Sequence, residues 1–486
     1  MNLRQKLSGI AIILLIFFIY TALNSYGSET TALCTQSVKF SGGTRNISYV
    51  TVDLNDSTIR IEPVVANNQI GKTDSLKNIA NQIKSDGVEV LAAINGTFFS
   101  AYDNNPLPYG TIQRDGEVIH IGNTGSTIGF TDKNEVKIEN LFIGISGTIN
   151  DKDTWYAWNI NHPFDTMDAV TIFTPEYGKE TYNHSYTSII VKSDKVSSIV
   201  SGKANIPSDG YVIVTGLPTM VGKFKVGDSV KYNMGFSEIN YKNQNVYAGK
   251  DLTDVWKNVN SSLGAGPTLL KNGVVTADGL AEGFFENKIL TNRGQRSFIG
   301  VTKDNKLLMG VVPNVTVKEL AEICKGLGLY QAMNLDGGAS SGLIYKDQLV
   351  HTPGRLLSNA LVITKRTPPP KVVKVRIDGE FIETQPNPVI INGRTMLPFR
   401  TIFNALKAEV DWNEAEWTAI GKKDSTTIQL PVGKEYAMVN NDRIRLDVPS
   451  LIIEGRTFIP VRFVAESLGG KVDWDGENSI VDIWTR

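Results

Sequence analysis

The residues whose types and spacing best suit chemistry lie in Gln331-Ala-Met-Asn-Leu-Asp-Gly-Gly-Ala-Ser-Ser-Gly-Leu-Ile-Tyr345. Two short apolar runs flank a polar turn holding Asn334, Asp336, Gly337, Gly338, Ser340 and Ser341. Adjacent glycines allow positive φ, and successive N–H groups in such a turn can gather into an anion-binding concavity. A carboxylate at its mouth is a candidate nucleophile, base or stabiliser of developing positive charge. The same letters also read as a Gly-rich hairpin with a polar tip. The company this turn keeps elsewhere in the chain decides between the two.

Several elements are needed to position it. The apolar run Val88 to Ile94 reads as a buried strand delivering Asn95-Gly-Thr-Phe-Phe99, with Asn95 and Thr97 as site candidates. The plainer reading is a strand-ending turn packed by Phe98 and Phe99. Gly294-Gln-Arg-Ser-Phe-Ile-Gly300 places Arg296 at the entrance of another apolar strand. Thr316 can cap a helix over Val317 to Leu327, with Glu319 in its first turn and Gly328 after its end. That helix leads straight into the strand carrying Asn334. Leu76, Ile79, Ala80 and Ile83 recur at helical spacing in Ser75 to Lys84. His351 and Arg355, in His351-Thr-Pro-Gly-Arg355, are either pocket residues or part of a surface loop.

With 486 residues the chain is expected to hold several domains. Its net charge of −1 gives no reason to expect nucleic acid or an anionic membrane as partner. Abundant Gly, Asn, Thr and Ser favour a turn-rich, strand-rich fold. We expect an α+β chain: a strand-rich mixed α/β domain over 36–366, then a small repeated α+β domain over 372–486. Arg4 and Lys6, then the apolar run Ile10 to Tyr20 and small polar residues to Ser28, read as an export signal over 1–27, cleaved or retained as an anchor. The protein is therefore expected to be secreted or held at the cell surface. Cys34 and Cys324 form no disulfide framework, and Cys324 reads as a buried helix residue. With four His and two Cys, no zinc-type cluster is available, and no metal ligands or cofactors are expected. A divalent cation near Asp336 would have no dedicated motif.

Thr367-Pro-Pro-Pro370 reads as an extended linker within 367–371. Beyond it Gly393-Arg-Thr-Met-Leu-Pro-Phe-Arg400 repeats as Gly455-Arg-Thr-Phe-Ile-Pro-Val-Arg462, and Val410-Asp-Trp412 as Val472-Asp-Trp474. Each repeat predicts a turn, an amphipathic helix and a strand.

Asn95-Gly-Thr-Phe-Phe99, Gly264-Ala-Gly-Pro267, Arg296-Ser-Phe-Ile-Gly300 and Asn334-Leu-Asp-Gly-Gly-Ala-Ser-Ser341, in that order, resemble the phosphodiester glycosidase family over roughly 40–365. The C-terminal unit resembles the bacterial copper amine oxidase N-terminal-like, or stalk, domain, though residues 371–486 contain no His or Cys to bind copper. The first resemblance implies an exported hydrolase of a sugar-1-phosphodiester, perhaps within a cell-wall or capsular glycopolymer. It implies Asp336, Arg296 and Asn95 as catalytic, Arg296 clamping phosphate through its planar fork. Thr97, Asn334, Gly337, Gly338, Ser340, His351 and Arg355 would bind substrate. The second implies a structural or wall-associated module. A rival of another class is a non-catalytic glycan-binding or wall-scaffold protein; a third reading is cleavage on the phosphorus side. Ordinary glycosidases use two carboxylates, and only Asp336 is a convincing candidate here. The chain departs from the family pattern at Ala339 and at Val311-Val-Pro-Asn-Val315.

Overall fold

The computed structural model describes residues 30–242, 245–366, 373–453, 455–476 and 478–485. The expected export signal and Pro linker lie outside them. The chain divides between Thr367 and Pro368 into two compact units. Among the described residues strands make up 51% and helices 12%, so the fold is mostly β. The amphipathic runs are short, whereas alternating and wholly apolar runs suited to strands fill most of the chain.

Two antiparallel sheets carry the first unit. One runs, in spatial order, Thr31–Phe40, Gly43–Asp53, Lys306–Val315, Gly294–Val301, Gln331–Asn334, Thr268–Lys271, Val274–Val275. The other runs Gln348–His351, Leu343–Tyr345, Val88–Asn95, Asn359–Arg366, Ile59–Val65. Val50, Val52, Ile299, Met309 and Met333 of the first share a core with Ile61, Ile94, Leu343 and Leu361 of the second. Burial on both faces explains why these strands read as continuous apolar runs. The outer face of the first sheet is covered by helix Val317–Gly326, which buries Val317, Leu320, Ala321, Ile323 and Cys324. Thr316 and Glu319 form a reciprocal capping box at its start, and Gly328 takes φ +85° after its end. Both cysteines are free thiols. The second sheet's outer face is covered by helix Leu76–Asn81, capped by Ser75. Residues 141–251 add two further sheets around a separate core that includes Trp155, Ile213 and Trp256.

In the second unit Arg394–Pro398 leads into helix Phe399–Ala405, and Arg456–Pro460 into helix Val461–Ser467. The two strands pair antiparallel, Leu397 opposite Ile459. Both helices bury their apolar stripes, Phe399, Ile402 and Phe403 in one and Val461, Val464 and Ala465 in the other, in one core.

Candidate active site

Register brings the candidates together. The Gly294–Val301 and Gln331–Asn334 strands pair antiparallel, with Phe298 opposite Asn334, so Arg296 and Asp336 emerge at the same end. The second sheet adds Asn95, the last residue of its Val88–Asn95 strand. The Asp336 N–H donates to Gly96 O at 3.2 Å, which ties the two sheets at this point.

Asn95, expected as a catalytic group, is here the lock of that junction. It is 1% exposed. Its Nδ2 donates to Asp336 O at 2.7 Å, and its Oδ1 accepts from Ser297 Oγ at 2.7 Å and from Gly342 N–H at 3.0 Å. These bonds hold both ends of the 336–342 turn. Asn95→Ala leaves three buried partners unsatisfied. It is expected to lower unfolding free energy by about 3 kcal/mol, measurable as a lower denaturant midpoint at unchanged slope.

Arg296, expected as a phosphate clamp, spends part of its fork on the fold. Its Nε donates to Val315 O at 3.3 Å, and Nη2 to Lys288 O and Asn292 O at 2.5 and 2.7 Å. Most of the fork is spent pinning the loop ahead of its own strand. Only the Nη1 side faces the turn, 3.6 Å from where a Cβ on Gly337 would lie. Burial pulls the guanidinium pKa down and Asp336 pulls it back up.

The turn itself is built on close approach. A Cβ on Gly337 would meet Gln295 O at 2.7 Å, and Gly338 takes φ +61°. The Gly337 N–H donates to Asp336 Oδ1 at 2.8 Å. The Gly337 N–H, expected to serve a ligand, thus bonds the Asp336 carboxylate in this structure. Ser340, buried, also bonds the Asp336 side chain. Asp336 keeps partial contact with solvent, but protein atoms crowd its carboxyl group. Burial raises its pKa to about 6, against the lowering effects of Ser340, the Gly337 N–H, Arg355 and Lys288.

Arg355 and Lys288 thus act on Asp336 alongside Arg296; Lys288, whose Nζ also pairs with Glu286 Oε2 at 2.8 Å, was not among the candidates because nothing in its local sequence marks it. The Arg355 loop is held to the turn by Gly354 N–H donating to Ala339 O at 2.8 Å. Arg355 Nη2 donates to the Tyr102 hydroxyl at 2.8 Å, its guanidinium 4.9 Å from the ring centroid. His351 is half-buried, and its Nε2 lies 2.5 Å from Gln295 Nε2. The ring nitrogen accepts there, in keeping with a pKa lowered by burial. Thr97 and Asn334 are both buried. Asn334 Nδ2 donates to Gly266 O at 2.8 Å, but its Oδ1 and Thr97 Oγ1 have no hydrogen-bond partner. These two are wall residues with unspent acceptors.

A second buried carboxyl stands behind Asn334. Glu282 is 5% exposed, and its Oε1 accepts from Thr268 N–H at 2.9 Å. Its Oε2 has no partner and, with Ser126 Oγ, crowds the place a Cβ on Gly266 would take, at 3.2 and 3.1 Å. Burial raises its pKa to about 7 against the Thr268 hydrogen bond, with Asp278 adding repulsion. Sequence reasoning passed over it: one Glu in Leu280-Ala-Glu-Gly-Phe-Phe285 carries no motif. Exposed aromatics rim the region. Tyr102 and Phe285 are exposed, and Tyr109 N–H donates to Phe98 O beside the Phe98–Phe284 ring pair. Among the described residues no group of three or more His, Cys, Asp or Glu could hold a metal ion.

The site is thus a half-buried carboxyl on a glycine turn between two antiparallel sheets. Residues 185–364 match the phosphodiester glycosidase family and residues 376–483 the copper amine oxidase N-terminal domain. The first match takes in Glu282, Arg296, Asn334 and Asp336; Asn95 and Thr97 precede it. No curated protein matches the chain. Among solved structures, a hypothetical protein from Synechocystis superposes with TM-score 0.61 at 23% identity, covering 70% of this chain and 62% of that one. The chain thus spans less than two thirds of that protein. A protein from Burkholderia pseudomallei K96243 gives 0.53 at 18%, covering 66% and 76%. At these identities the likeness is one of fold. The catalytic domain of zebrafish N-acetylglucosamine-1-phosphodiester alpha-N-acetylglucosaminidase gives 0.37 at 12%, covering 70% and 84%.

Proposed function

We propose that the first unit hydrolyses a sugar-1-phosphodiester, breaking the bond between the anomeric carbon and the phosphate oxygen. The observation that carries this reading is the half-buried Asp336 carboxyl on its glycine turn, with the positive charges of Arg355 and Lys288 acting on it. Those two take the phosphate role first expected of Arg296. The ionised Asp336 supports the sugar carbon as positive charge develops there, as nucleophile, base or electrostatic stabiliser. The pair of electrons leaves with the phosphate oxygen. A phosphomonoester has a second pKa of about 6, so it departs without a strong acid beside it. Glu282, on the far side of Gly266 and Asn334, is left in a supporting role. Exposed Tyr102, Tyr109 and Phe285 supply flat apolar surface for a sugar face.

We extend the proposal to place. The segment 1–27 exports the chain, and the C-terminal unit holds it near a cell-wall or capsular glycopolymer. The decisive experiment is a release assay on a panel of sugar-1-phosphodiesters in isotope-labelled water, with and without chelator. Label in the sugar hydroxyl supports the proposal, and label in phosphate would mean attack at phosphorus. No release from any diester, with binding retained, would favour a glycan-binding module.

A further inference from the structure

A groove of about 590 Å³ lies at the other end of the first sheet, far from Asp336. Its wall comprises Tyr49 and Thr51 from the Gly43–Asp53 strand, Thr302 to Lys306 from the hairpin after Val301, and Leu327 to Tyr330 after the long helix. Its floor is apolar: Leu308, Leu327 and Leu329 are each under 8% exposed. Two half-buried tyrosine rings, Tyr49 and Tyr330, stand against that floor. The rim is cationic. Lys303 is exposed, its Nζ 5.0 Å from the Tyr330 ring centroid. Lys306 meets only Asp304, at 3.1 Å between exposed side chains, an ion pair worth little in water. The glycine that ends the helix keeps the mouth open: a Cβ on Gly328 would meet no atom within 4 Å.

Leucine and tyrosine faces suit the C–H faces of a sugar ring, hydroxyls suit its hydroxyls, and the exposed ammonium groups of Lys303 and Lys306 suit an acid group on the same chain. The volume falls in the range of small-ligand sites. From this groove we propose a second glycan-binding site, one that takes an acidic repeat of the polymer whose linkage is cut at Asp336. The inference rests on the diester-cleaving reading for what the polymer is, though not for the groove's chemistry. Tyr330 immediately precedes the Gln331–Asn334 strand and Asp336 follows it. Six residue steps separate them, four of the residues in that strand, which allows a separation of up to ~20 Å. One sugar-phosphate unit cannot touch both, whereas a chain of several repeats can. Two-point attachment then raises affinity for long substrates without any change at the reacting bond.

The test uses the full chain with two probes: a single-repeat sugar-1-phosphodiester and a poly(sugar 1-phosphate) of about ten repeats. The Lys303→Glu/Lys306→Glu double variant should weaken polymer binding tenfold or more by calorimetry, and turnover of the single-repeat diester should stay within twofold. Both changes are on exposed side chains, so the melting temperature serves as the folding control. Lys303→Ala, milder, should show a loss in the same direction. Polymer affinity unchanged in both variants overturns the second site, and so does equal loss on both probes. Failure of the underlying reading looks different: no diester is turned over, yet the double variant still loses polymer binding.

Discussion

Asp336→Asn is expected to lower kcat on a sugar-1-phosphodiester by roughly a thousandfold or more, with Kd for substrate changed by less than a few-fold. The amide keeps an oxygen to accept the Gly337 N–H bond, 2.8 Å in the native turn, so the turn has no reason to collapse. What is lost is the negative charge, and with it any nucleophilic, basic or electrostatic help at the sugar carbon. The pH profile gives a second readout. Burial holds the native carboxyl at about 6, and the proposed role needs it ionised. The rate should therefore rise with pH through about 6 and level off above it. A rate that falls through the same pH would assign Asp336 as proton donor instead. Unchanged turnover in the variant, measured by single-turnover release, would remove this carboxylate from the chemistry altogether.

Glu282→Gln is expected to stabilise the protein at pH 8 and to leave it unchanged near pH 4. The native carboxyl titrates at about 7, raised from 4.5 chiefly by burial. With a folded-state pKa above the unfolded one, the native state binds the proton more tightly. This favours folding at acid pH, and the advantage disappears as pH rises from about 4.5 to 7. The difference, about 7 less 4.5, corresponds to roughly 3 kcal/mol of stability lost at alkaline pH. Glutamine has the shape of the neutral acid and cannot ionise, so it does not suffer that loss. Its Oε1 can still accept from Thr268 N–H, 2.9 Å in the native structure. Denaturant midpoints of the two proteins should coincide at pH 4 and separate by pH 8. Parallel pH dependences would show that Glu282 is not the group responsible.

Much of the scaffold was legible from periodicity. Thr316, Glu319 and Gly328 mark the long helix because capping is local chemistry, settled within four residues of the chain. The repeated Gly-Arg-Thr and Val-Asp-Trp blocks mark two equivalent strand–helix segments for the same reason. The helix expected over Ser75 to Lys84 is shorter, Leu76–Asn81. Its apolar spacing extends to Ile83, but the chain turns away before that residue can join the helix. The expected strand-rich character holds, and the chain is mostly β, because short helices cover sheets whose strands are buried on both faces.

The sequence by itself determined which residue types are available near the site: one aspartate on a double glycine, an asparagine and a threonine after a buried strand, and an arginine opening another. Tertiary structure decided what each does. Strand register sets Arg296 beside Asp336, but the carbonyls of Val315, Lys288 and Asn292 occupy most of its fork. Asn95 holds the turn because its three partners lie more than 200 positions away in the chain. The charges of Lys288, in the short helix Asn287–Leu290, and of Arg355 act on the carboxylate although no local pattern connects them to it. Donor, acceptor and charge are properties of a side chain, read directly from its letter. Whether that capacity is spent on the fold or kept for a ligand depends on distant partners, and only the folded chain brings those into contact.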